Sequence, residues 1–140
     1  MRGTILILSL FALTAAKAGH ARECTSLDRM AAQQPLAAPP EGTSCDTYLT
    51  TTSQEGLSCH WTFPYRSDAA KAFAEAMWQT IQQCRSGSPR EPDQNVNHPD
   101  SYELRQWDTG QAIYSLSVKD KGALGLTLVF VRRAPLHRAD

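Results

Sequence analysis

YELRQWDTGQAIYSLSVKDKGALGLTLVFVRR, residues 102–133, is the stretch whose reading decides the fold. It contains three runs rich in β-branched and aromatic residues, 102–107, 111–119 and 123–132. Two short punctuations divide them, Asp108-Thr109-Gly110 and Asp120-Lys121-Gly122. Each ends in glycine, the residue suited to the left-handed position of a three-residue hairpin loop. Two such turns in succession predict an antiparallel meander. Closing pairs at Trp107/Gln111 and Lys119/Ala123 then set Leu104 and Leu128 against Tyr114, and align Leu116 with Leu126, Ala112 with Phe130 and Val118 with Leu124. In that register one face is almost wholly apolar and calls for a covering element. The other face carries Glu103, Ser115, Ser117 and Thr127, together with Arg105, Trp107, Ile113, Val129 and Val131.

Working upstream, residues 57–63 alternate Leu57, Cys59, Trp61 and Phe63 with Ser58, His60 and Thr62, the period of a half-buried strand. Ser67 then stands as a helix N-cap, with Asp68 in the first turn, where a negative charge suits the helix dipole. Ala69, Phe73, Ala76, Met77, Thr80, Ile81 and Cys84 recur at three- and four-residue spacing, so 68–85 reads as one amphipathic helix. Gly87 is placed to take a left-handed position after its end. The fold class expected is α+β: a two-layer β-α-β-β-β unit, one amphipathic helix on an antiparallel sheet, braced by disulfides. The domain plan is a signal segment over 1–18, an irregular N-terminal segment over 19–56, the α+β domain over 57–134 and a tail over 135–140. Residues 88–100 form a long polar, proline-bearing loop.

The first residues suit export. Arg2 gives a positive start, 5–16 form a short apolar run, and Ala16-Lys17-Ala18 is a small-x-small cleavage signal; a second cut site follows Ala21. The apolar run is shorter than the roughly 20 residues that a membrane-spanning helix needs. Removing 1–18 takes away Arg2 and Lys17, leaving 12 basic residues against 14 acidic ones and a net charge of −2. That balance argues against nucleic acid as a partner, and no later segment calls for membrane insertion. The expected location is periplasmic or secreted, which also suits the four cysteines.

Cys59 falls on the inward face of its strand and Cys84 on the inward stripe of a helix that folds back along it. The expected pairing is therefore Cys59–Cys84, leaving Cys24–Cys45 to pin the N-terminal segment. The chain contains no CxxC, and its cysteine spacings match no zinc module.

Few residues point to chemistry. His98, Asp100 and Ser101 put a base, an acid and a hydroxyl in the long loop, the raw material of a small hydrolase, but residues so close in sequence seldom converge into a triad. His20, His60, His98 and His137 share no ligand spacing, so neither a metal nor another cofactor is expected. The outer face carries more information. Trp107, Ile113, Val129 and Val131, with Arg105 beside them, are unusual for a solvated sheet surface and form a composition favoured at binding hot spots. The reading from sequence is an exported binding or accessory domain that engages a protein partner there. The alternatives are that residues 24–56 cover this patch as a second layer, or that the loop is a hydrolase centre.

Overall fold

The structure, a computed structural model, describes residues 24–25, 27–30, 43–92 and 102–136. One main helix lies on an antiparallel sheet of six strands, in the order β1-β2-β6-β5-β4-β3. The strands are β1 (Thr43–Leu49), β2 (Glu55–Pro64), β3 (Ser88–Arg90), β4 (Tyr102–Asp108), β5 (Ala112–Lys121) and β6 (Leu126–Pro135); the main helix spans Asp68–Cys84 between β2 and β3. The α+β architecture is as expected. Two edge strands, β1 and the three-residue β3, add to it.

The main helix begins where its N-cap signal places it: Ser67 Oγ accepts a hydrogen bond from the Ala70 N–H at 3.2 Å. Its inward stripe is turned slightly from the expected one. Ala70, Ala74, Thr80 and Ile81 are buried. Phe73, Met77, Trp78 and Cys84 pack at the margin of the core, whereas Ala69 and Ala76 are exposed. At its C-terminal end the left-handed glycine does not form. Gly87 serves close approach instead, because a Cβ there would lie 2.3 Å from the Asp108 carbonyl oxygen and 2.7 Å from Trp107 Nε1.

The meander forms, but with longer turns. Asp108 pairs with Ile113 and Lys121 with Leu126, so each loop spans four residues. Gly110 takes the left-handed conformation at φ 77°; in the second loop that role falls to Gly125, at φ 65°, and not to Gly122. A 3-10 turn over Gly122–Leu124 absorbs the residues between. Consequently Trp107 faces Tyr114 instead of Gln111, a slip of three residues. Lys119 faces Leu128 instead of Ala123, a slip of five. An odd slip exchanges the two faces of a strand. Relative to β5, both β4 and β6 are therefore turned over: Val129 and Val131 face the helix, and Leu104, Leu126, Leu128 and Phe130 face away.

The disulfides also differ from expectation. They are Cys45–Cys59 and Cys24–Cys84, with Cα–Cα distances of 4.0 and 5.4 Å. The reason is β1. Thr43, Thr47 and Tyr48 suit an extended chain, and residues 43–49 form a hairpin with β2 that sets Cys45 directly opposite Cys59. Cys59 being engaged, Cys84 at the helix end meets Cys24. Residues 24–25 and 27–30 are helical. Leu27 and Met30 there are buried in the same core as Ile81, Tyr114, Leu116, Val129 and Val131. Both bridges and the core thus lie on the helix side of the sheet. The described parts of the N-terminal segment extend the sheet or pack on its helix side and do not form a second layer on the outer face.

Candidate functional site

Strand pairing lays the outer face out in rows. Gln106, Ser115, Arg132, Ser58 and Asp46 form one row across β4, β5, β6, β2 and β1. Leu104, Ser117, Phe130, His60 and Ser44 form the next. Beyond these come Lys119, Leu128 and Thr62, then Lys121 and Leu126; on the other side, Ile113 pairs with Ala134. Leu104, Ile113, Leu126, Leu128 and Phe130 are all partly exposed, so the face presents an apolar centre to solvent.

Phe130 is the middle of this face. Its ring lies 5.2 Å from that of His60, 4.8 Å from Lys119 Nζ and 5.4 Å from the Arg132 guanidinium carbon. The same guanidinium stands 5.7 Å from the Tyr48 ring. These are cation–π distances, and they hold positive charge against aromatic surface. Arg132 Nε donates to Ser58 Oγ at 3.2 Å, and no described carboxylate forms an ion pair with Arg132. Partial burial, with the neighbouring charges of Arg132 and Lys121, pushes the Lys119 pKa below its ordinary value. Burial raises the Tyr48 pKa, against the opposing pull of Arg132.

A groove of ≈ 280 Å³ opens beside this cluster. The turn joining β1 to β2 overhangs it with Thr50 and Thr51, while Leu104, Ile113, Ser115 and Arg132 form its floor and wall. The turn is held by its own bonds: Thr50 N–H donates to the Gln54 carbonyl at 2.8 Å, and Thr50 Oγ1 accepts from the Gln54 N–H at 3.0 Å. Gln106 lines the groove, donating through Nε2 to Ser115 Oγ at 3.3 Å. Its Oε1 is buried without a hydrogen-bond partner among the described residues.

Of the five contacts read from sequence, Ile113 alone keeps its place on the outer face. Val129 and Val131 are 0 % exposed and so cannot touch a partner. Trp107 and Arg105 turn toward the helix. The Trp107 indole N–H donates to the Arg85 carbonyl at 3.0 Å, and its ring meets Trp78 edge to face at 6.1 Å. Arg105 bonds Glu75 at 2.8 Å and Glu103 at 2.6 Å, and these bonds raise its pKa while holding that of Glu75 below the usual range. His98, Asp100 and Ser101 lie outside the described residues, as do His20 and His137. The residues that sequence reasoning missed, Phe130, Leu128, Leu104 and Arg132, were visible only as alternation along the strands. Nothing but the turn length says which alternate set faces out.

A second cluster fixes the approach to the helix. Asp120 is buried and accepts from Thr127 Oγ1 at 2.7 Å and Arg66 Nε at 3.0 Å. The Arg66 N–H in turn donates to Thr127 Oγ1 at 2.8 Å. This network holds Arg66 at φ 51° in the tight corner between β2 and the helix. Its partners are satisfied within the fold, so it reads as an anchor. Among the described residues, no three metal-ligating side chains converge, and no helix is long and apolar enough to cross a membrane. Comparison with protein-family models finds no match, and neither a curated protein nor a solved structure matches the chain.

Proposed function

We propose that this chain is an exported binding domain that engages a protein partner through the outer face of its sheet. One observation carries the reading: Leu104, Ile113, Leu126, Leu128 and Phe130 stand partly exposed on the face opposite the helix, where a solvated sheet would place polar residues. An apolar centre rimmed by Arg132, Lys119, His60 and a row of serines has the anatomy of a protein-binding patch, apolar inside and polar around. Export, to a periplasm or the medium, rests on the N-terminal charge, apolar run and cleavage signal, and the two disulfides suit an oxidising compartment.

The test is capture from an envelope or culture extract of the producing cell. The bait is the oxidised mature domain, run beside a Leu104→Asp/Phe130→Asp variant and a control, Gln79→Ala, on the exposed side of the helix. A protein held by the parent and the control but lost by the double variant supports the reading. Equal capture by all three, or by none, overturns it.

A further inference from the structure

Resting on that outer-face reading, we infer that the partner presents an acidic segment, one carboxylate of which enters the groove beneath the β1–β2 turn and pairs with Arg132. Charge complementarity is the first argument. The outer face carries Lys119, Lys121 and Arg132, and the described acids on it are only Asp46 on β1 and Asp108 on β4. Asp108 already stands 3.7 Å from Arg90. Among the described residues Arg132 has no carboxylate partner, so a pair with an incoming anion breaks no ion pair described there. Ser58 and the Tyr48 and Phe130 rings hold its side chain in place. Part of the entropy cost of ordering an arginine has therefore been met before the partner arrives.

The form of the groove is the second argument. Among the described residues lining it, Arg132 is the one cation, amid the hydroxyls of Thr50, Thr51, Ser115 and Ser117, above an apolar floor that includes Leu104 and Ile113. A carboxylate can accept from the guanidinium and a hydroxyl together. The apolar floor takes the adjoining side chain. Hydroxyl, amide, cation and apolar floor within ≈ 280 Å³ fit a short stretch of polypeptide. A long polyanion is disfavoured on different grounds. The whole chain has 14 basic and 14 acidic residues, so it lacks the net positive field that draws and holds nucleic acid or acidic polysaccharide.

The experiment selects binders from a random peptide library displayed on phage against the oxidised domain, at about 50 mM salt, where exposed charges are weakly screened. Recovered peptides should be enriched in Asp or Glu beside an aliphatic or aromatic residue. As free peptides they should bind the Arg132→Gln variant about tenfold more weakly. Arg132→Lys should restore part of that loss and Gln79→Ala none of it, with circular dichroism showing each variant folded. Peptides without acid enrichment that still need Leu104 and Phe130 would overturn the inference and leave the outer-face reading standing. Peptides indifferent to every outer-face change, or no binders at all, would overturn the inference; the capture experiment above then judges the reading by itself. Equal competition by heparin or a single-stranded oligonucleotide would mark a polyanion site and also overturn it.

Discussion

The two faces of this sheet are built from alternate residues of the same strands, and they do opposite things. Val129 and Val131 are sealed beneath the helix at 0 % exposure, while their neighbours Leu128, Phe130 and Arg132 face outward and stay partly exposed. On the helix side several polar groups bond within the fold, although Trp61 Nε1 and Arg133 Nε are buried without a partner among the described residues. Tyr114 Oη takes a bond from Arg85 at 3.1 Å, and Arg85 also pairs with Asp28 at 2.7 Å. Burial opposes the charge on Arg85, but these bonds outweigh it and raise the pKa. On the outer side Lys119 and Arg132 lie over the Phe130 ring instead, and Arg132 forms no ion pair with a described carboxylate. The inner face is thus committed to stability, and the outer face is the one we propose for recognition.

The sharpest way to break that contrast is to put a carboxylate on each face in turn. Val131→Asp buries an unpaired charge in the core and should abolish the cooperative melting transition. Phe130→Asp sets the same group beside Lys119 and Arg132 and should cost roughly 1 kcal/mol or less. Similar melting by the two variants would mean that the faces are not distinguished as described. Next in size come the bridges, both on the inner face. On the chain-entropy estimate, replacing Cys24 and Cys84 by Ser should cost about 4 kcal/mol, because that bridge spans 60 residues. Replacing Cys45 and Cys59 should cost about 3 kcal/mol, the span being 14. Denaturant titration of the two double variants checks the order.

Asp120→Ala strands the buried Thr127 hydroxyl and loosens the corner at Arg66, for about 2 kcal/mol. Urea unfolding measures it, and a loss equal to that of an exposed surface substitution would contradict the anchoring role. The smallest effect sharpens the outer face. Lys119 has a lowered native pKa, so between that value and the ordinary 10.5 the unfolded chain binds more protons, and stability rises with pH across that window. Lys119→Met should remove this rise and, below the window, stabilise the fold by about a few tenths of a kcal/mol. Thermal melts from pH 7 to pH 10.5 would show whether the slope flattens.

How much of this was legible beforehand follows from what each signal encodes. The main helix was, because Ser67, Asp68 and the spacing of Phe73, Met77, Ile81 and Cys84 are local facts. The meander was, because Gly110 and the second glycine-bearing turn mark chain reversals. Register was not. Gly122 and Gly125 both fit a turn after Lys121, and choosing the earlier one shifts β6 by five residues and turns it over. The same step hid the site, since Val129/Val131 and Leu128/Phe130 are equally apolar pairs. The cystines were misassigned for a related reason. The edge strand 43–49, with its Thr and Ser residues, reads as loop until β2 offers it a partner, and only that pairing brings Cys45 to Cys59.

The most direct measurement for the claim that the outer face is the working surface is site-specific cross-linking in the cell that makes the protein. A photoreactive phenylalanine analogue would replace Leu104 on the outer face or Gln79 on the helix, and irradiation would trap whatever lies against each. A discrete protein adduct from position 104, absent from position 79, is the predicted result. Adducts from position 79 alone, or from neither position, would contradict the assignment of recognition to this face.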